Sequence, residues 1–121
     1  MNSKNTLVLG ASDNPERYSY LAINKLKLYG HPLIAIGNKI SRVNDIYIIT
    51  GTPILKNVNT VTLYLSPANQ IQYYNYIIYL KPQRIIFNPG TENPELASLA
   101  KINGIECIEA CTLVLLSTNL Y

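Results

Sequence analysis

TLVLGASDNPERYSY, residues Thr6 to Tyr20, carries the reading of the fold. Thr6 to Leu9 is a short β-rich run that stops at Gly10, and the turn formers Ser12, Asp13, Asn14 and Pro15 follow at once. From Tyr18 the apolar period changes. Tyr18, Ala22, Ile23, Leu26 and Tyr29 share one helical face, with Asn24, Lys25 and Lys27 elsewhere. Gly30 and Pro32 end that helix. Pro32 to Ile36 is a second buried strand, followed by Gly37, Asn38 and Lys39. Strand, glycine turn, helix and strand make one βαβ unit.

The alternation continues down the chain. Ser41 to Asn59 has no helical face; Tyr47 to Ile49 fits a short strand that Thr52-Pro53 breaks. Thr60 to Leu65 reads as the third main strand. Ser66 and Pro67 open a helix with an apolar stripe of Ile71, Tyr74, Ile77 and Ile78, ended by Lys81-Pro82. Arg84 to Phe87 is the fourth strand, closed by Asn88-Pro89-Gly90. Asn93 as N-cap, Pro94 at the first helical position, Glu95 in the first turn and Gly104 as the stop punctuate the next helix. Ile105 to Ile108 is the fifth strand, and Cys111 to Leu116 a final short helix. Alternating strands and helices predict an α/β, Rossmann-like three-layer sandwich. Its parallel sheet has the order 2-1-3-4-5, with one extra short strand at an edge. The whole chain, residues 1–121, forms one domain.

Composition narrows the function. The chain has 121 residues, 48% hydrophobic and 14% charged, which suits one sizeable core. Its net charge of +3 comes from scattered lysines and arginines, with no run to track a nucleic acid. Met1 to Asn5 are polar and no segment approaches the ~20 apolar residues of a membrane span, so a cytoplasmic protein is expected. Cys107 and Cys111 lack a second ligand pair for zinc, and neither a zinc site nor a disulfide is expected.

In a doubly wound sheet, ligands bind beyond the carboxyl ends of the strands, so the turns after the strands share one edge. The first is Gly10-Ala11-Ser12-Asp13-Asn14-Pro15-Glu16-Arg17. Its glycine lets backbone approach a ligand closely. The following amides and the helix dipole favour a phosphate, Ser12 adds a hydroxyl and Arg17 a charged fork. The same residues also suit a tight βα turn with an N-cap and a solvated arginine. The second turn, Gly37-Asn38-Lys39, has no acid to accept from ribose hydroxyls as an NAD site would. Lys39 instead suits a ribose phosphate, which leaves NADP or coenzyme A, or else an ordinary polar turn. Leu65-Ser66-Pro67 and Asn88-Pro89-Gly90 occupy the same edge.

Catalytic equipment is thin. His31, in the Gly30-His31-Pro32 turn, falls at the opposite end of the sheet and reads as a surface or capping residue. Ser12 and Ser66 have no triad partner nearby in sequence. Acids at helix starts, such as Glu95, are accounted for by capping and dipole effects. Cys111 reads as a buried core thiol. No set of nucleophile, base and orienting group assembles, so no enzyme activity is expected.

Three segments carry a family likeness. TLVLGASDNPERYSY at Thr6–Tyr20, NPGTENPEL at Asn88–Leu96 and GIECIEAC at Gly104–Cys111 resemble the small stand-alone CoA-binding proteins. These are relatives of the CoA-binding domain of the succinyl-CoA synthetase alpha subunit. The resemblance implies a Rossmann-like domain that binds coenzyme A or an acyl-CoA. By it, Gly10, Ala11, Ser12 and Arg17 would meet phosphates, and Asn14 and Pro15 of the same turn belong to the cofactor-binding set. Asn38 and Lys39 would sit by the adenosine 3′-phosphate. Leu65, Ser66, Pro67, Asn88, Pro89 and Gly90 would line the nucleotide and pantetheine path. Gly37-Asn38 replaces the Asn-Pro pair common in the family's second turn, and the first loop is poorer in glycine than the synthetase's. The synthetase's phosphohistidine chemistry belongs to a domain outside this sequence, so no activity carries over. The expected function is non-catalytic CoA binding. The alternatives are an NADP- or other nucleotide-binding enzyme or accessory, and an interaction module with a vestigial pocket. The apolar C-terminal stretch offers a homodimer surface.

Overall fold

The first strand, β1 (Thr6–Ala11), alternates with period two and so divides the interior. Leu7 and Leu9 enter one core and Val8 the other, all fully buried. The computed structural model describes residues 3–121; residues 1 and 2, part of the polar start, lie outside the described residues.

The remaining elements follow in chain order. They are α1 (Tyr18–Leu28), β2 (Leu33–Gly37), β3 (Ser41–Val43), β4 (Ile46–Ile49) and β5 (Thr60–Leu63). Next come α2 (Pro67–Gln70), a 3-10 turn (Ile71–Tyr73), α3 (Tyr74–Leu80) and β6 (Arg84–Phe87). The chain closes with α4 (Pro94–Ile102), β7 (Glu106–Glu109) and α5 (Thr112–Ser117). The seven strands run in the order β3-β4-β2-β1-β5-β6-β7. All neighbours are parallel except β3 and β4. The five main strands therefore keep the order 2-1-3-4-5. The extra edge is a two-stranded hairpin rather than the single strand expected. Its turn sets Asn44 at φ 54°, and Val43 pairs directly with Ile46, the compact hairpin that asparagine allows. Asn44 Nδ2 donates to Asn24 Oδ1 at 2.6 Å, and Asp45 pairs with Lys27, which holds the hairpin to α1.

The helices cover both faces. Ile77 of α3 with Leu96 and Ala100 of α4 pack on Leu7, Leu9, Ile36, Val61, Ile85 and Phe87. On the other face, Ile23 and Leu26 of α1 with Leu116 of α5 pack on Val8, Ala35 and Ile48. Between β4 and β5 no helix forms. Leu55 and Val58 of that crossover still seal the first core, and Tyr76 Oη donates to Pro53 O at 2.6 Å to pin it. Among the described residues no helix is long and apolar enough to cross a membrane.

Two periodicity readings need correction. Tyr18 was expected on the buried face of α1 but is 70% exposed, and Ser19 is buried in its place. The helix expected from Pro67 to Leu80 is interrupted by the 3-10 turn. The tighter winding rotates Ile71 out to solvent and leaves Gln70 fully buried.

Candidate functional site

Two glycines bring the ends of three strands together. At Gly37 an added Cβ would lie 2.4 Å from Ala11 O, so only hydrogen lets β1 and β2 close at this point. Gly10 adopts φ 97° and lies against Tyr64 and Leu65, and the register of β1 shifts between Leu9 and Ala11. That bulge moves Ala11 into the second core, away from the face that Leu9 occupies. Above these ends opens a cleft of about 490 Å³, lined by the loops after β1, β2, β5 and β6. It lies at the switch point of the sheet, where the chain, having built outward from β1 through β2 to β4, crosses back to add β5 on the other side of β1.

Of the residues singled out from sequence, Gly10, Ala11, Ser12, Arg17, Asn38, Leu65, Ser66, Pro89 and Gly90 line the cleft. Asn14, Pro15, Lys39, Pro67 and Asn88 do not. Asn14 shapes the first turn from within: its N–H donates to Ser12 Oγ at 3.1 Å and its Oδ1 accepts from Glu16 N at 3.0 Å. Lys39 stands outside the lining, 3.7 Å from Asp13 in an exposed ion pair. Asn88 is only 2% exposed and its amide is wholly engaged. Its Nδ2 donates to Thr62 Oγ1 and Leu63 O, while its Oδ1 accepts from Thr112 N at 2.8 Å. It fixes the loop beneath the cleft. Sequence reasoning missed Tyr18, Ser19, Gly37, Tyr64, Asn69, Gln72, Tyr73 and Thr91 as lining residues. Gly37 was the one with a legible signal, a glycine ending a buried strand.

The start of α1 gives the cleft its chemistry. Arg17 is its N-cap, with extended backbone (φ −86°, ψ 143°), yet no side chain caps the helix and its first turn holds no acid. The N–H groups of Tyr18 and Ser19 make no hydrogen bond among the described residues, and both residues line the cleft. Unpaired amides at a helix start, reinforced by the helix dipole, are an anion site. The capped turn read as the alternative is therefore absent here, though α4 has one. There Asn93 Oδ1 accepts from Glu95 N and Leu96 N at 3.1 and 3.3 Å. Arg17 carries the single charge among the described lining residues. The residues present thus fit a phosphorylated ligand: free amides, one guanidinium, a Ser12 hydroxyl and no lining carboxylate.

Tyr18, Tyr64 and Tyr73 add aromatic groups to the wall. Tyr64 has its hydroxyl buried without a hydrogen-bond partner in good geometry, and burial pushes its pKa up to about 12, so it is neutral. Neither Ser12 Oγ nor Ser66 Oγ meets a base; Ser66 Oγ accepts from Asn69 Nδ2 at 3.1 Å. His31 is at the far end of the sheet and is buried rather than superficial. Its Nδ1 accepts from Lys4 N at 3.0 Å, and its ring lies 4.7 Å from that of Tyr121. Desolvation first, then the charges of Lys4 and Arg84, hold its basicity below the ordinary imidazole value. Cys107 and Cys111 are free and half-buried, so Cys111 is not the fully buried thiol expected.

Comparison with known proteins adds the following. The family described as "CoA binding domain" matches residues 4–117. A crystal structure of a protein described only as uncharacterized shares 49% identity, with all of both chains covered and a TM-score of 0.97. A Thermus thermophilus protein, cell-free ID.343, shares 19% identity over 98% of this chain and 91% of that one, with a TM-score of 0.84. A hypothetical protein from Pyrococcus horikoshii OT3 shares 21% identity over 98% of this chain and 84% of its own, with a TM-score of 0.86. These last two establish likeness of fold. No curated protein matches the chain.

Proposed function

The chain belongs to the CoA binding domain family, and from that premise we propose that it binds coenzyme A or an acyl-CoA without catalysing a reaction. The observation that carries this reading is the uncapped start of α1 opening on the cleft, with Arg17 beside two free amides. Those groups suit a diphosphate. The extended cleft toward Leu65, Pro89 and Gly90 suits the pantetheine arm that separates a diphosphate from a thiol. Asn38, at the end of β2, suits the adenosine end. Lys39 can meet the 3′-phosphate by leaving Asp13. Exposed ion pairs contribute little, so a doubly charged phosphate competes well for that ammonium.

The absence of activity rests on the chemistry of the wall: its hydroxyls lack a base, and Tyr64 keeps its proton. A cytoplasmic setting and a nucleotide ligand without a nucleic-acid or membrane partner complete the proposal. So does a homodimer through the α5 region, where Val114 and Leu120 are exposed. Thermal unfolding with CoA, acetyl-CoA, dephospho-CoA, NADP and NAD tests it. A micromolar ligand at millimolar concentration adds about 4 kcal/mol of stability, a shift of about 15 °C for a chain of this size. The reading expects that shift for CoA or its thioester and a smaller one for dephospho-CoA. Stabilisation by NADP alone would move the function to a nicotinamide nucleotide. No response to any of them would leave an interaction module.

A further inference from the structure

We infer that Gln70 is the positioning residue of the cleft: its buried amide ties together the two loops that form one wall, and so sets the affinity for ligand. The inference rests on the CoA-binding reading for its ligand but not for its geometry. Strands β5 and β6 stay in register only as far as Leu63 and Phe87. Beyond that pair, the loop carrying Leu65 and the loop carrying Pro89, Gly90 and Thr91 have no ladder to hold them apart at a fixed distance. All four residues line the cleft.

Gln70 is fully buried at the end of α2. Its Nε2 donates to Leu65 O at 2.8 Å and to Thr91 O at 2.8 Å, one proton to each loop. Two carbonyls can only accept, so the amide nitrogen must face them. Its Oε1 accepts from Asn93 Nδ2 at 2.9 Å. Asn93 in turn caps α4 through Oδ1 and sends its second amide proton to Tyr74 Oη at 2.9 Å. The Tyr74 hydroxyl donates to Glu95 Oε1 at 2.9 Å. The group is satisfied throughout, which a polar side chain with no solvent contact requires.

A side chain serving packing alone would not need two donors aimed at two different loops. Gln70→Met keeps length and volume and removes both donors. It leaves the two carbonyls free to move apart, and Gln70→Glu, which offers at most one donor, breaks the two-loop link while keeping an acceptor for Asn93. Amide hydrogen exchange should quicken at least about tenfold at Tyr64, Gly90 and Thr91, the hydrogen-bonded amides of the two loops, in either variant, with Leu7 to Leu9 of β1 unchanged. The affinity for CoA should fall about tenfold, the scale of a lost buried hydrogen bond.

Should neither variant fold, the wild-type protein still decides. Both Gln70 side-chain amide protons should exchange far more slowly than those of Gln72, which is exposed. Unaltered exchange in the two loops, a uniform rise across the sheet, or Gln70 protons as labile as those of Gln72 would overturn the assignment. Equal CoA affinity in wild type and variants would overturn it as well. A wild-type protein that ignores CoA would instead sink the ligand reading, while the exchange results still decide the role of Gln70.

Discussion

Replacing Arg17 by aspartate should make the free protein more stable and at the same time blind it to CoA. The N-cap position already has the extended backbone that a capping aspartate uses, and no other side chain caps α1. An aspartate there can accept from the unpaired amide of Ser19 and places a negative charge at the positive helix end. A good cap contributes about 0.5–2 kcal/mol, with a further contribution from the dipole of about 0.3–1 kcal/mol. At an unfolding entropy of about 2.1 cal/mol/K per residue, the cap alone raises Tm by roughly 2–8 °C. The same carboxylate occupies an amide that a phosphate needs, repels it, and deletes the guanidinium. Loss of one charge-assisted hydrogen bond costs about 1.5–3 kcal/mol, so CoA affinity should fall by about 10- to 150-fold before repulsion is counted. Differential scanning fluorimetry of the free protein and calorimetric titration with CoA read the two effects separately. A lower Tm would mean that the start of α1 is satisfied by some other group. Retained affinity would mean that phosphate binds elsewhere.

Four further outcomes follow from individual contacts. Gly37→Ala should destabilise by about 1–3 kcal/mol, the cost of overpacking, because its Cβ meets Ala11 O at 2.4 Å; an unchanged urea midpoint would mean that β1 and β2 are farther apart. Asn88→Ala should cost about 3 kcal/mol by leaving Thr112 N without its acceptor and taking a donor from Thr62 Oγ1 and Leu63 O, read by the same melt. His31 is held neutral below the ordinary imidazole value, so the unfolded chain takes up the proton first. Stability should be full above about pH 6.5 and fall as pH drops through that value toward the folded one, and His31→Gln should flatten the fall in urea midpoints against pH. Lys39→Ala should weaken CoA and leave dephospho-CoA unchanged in parallel titrations; equal weakening of both would remove Lys39 from the 3′-phosphate.

Local punctuation made most of the fold legible. Gly10 after a β-rich run, and Asn93-Pro94 before a periodic one, act on backbone within a few residues of themselves, so a single sequence reveals them. Strand order followed from the βαβ rule because crossovers have few allowed routes. The hairpin strand Ser41–Val43 escaped because three residues carry no periodicity, and its pairing is decided by distant Asn24 and Lys27. Gln70 escaped for a related reason. A polar residue on a helical stripe looks solvated until a 3-10 turn rotates it inward, where groups more than twenty residues away complete its bonding. Asn88 was recognised as part of a turn at the correct edge. That its side chain points into the core, toward Thr62 and Thr112, is a tertiary fact with no local signal.

The most direct test is an amide chemical-shift titration of the labelled protein with CoA. Binding by the uncapped start of α1 predicts the largest perturbations at Ser12, Tyr18 and Ser19, smaller ones at Asn38, Leu65 and Gly90, and none at His31 or Glu106 at the far end of the sheet. Tyr18 and Ser19 amides that stay in place at saturating CoA would contradict the account, wherever else the spectrum moved.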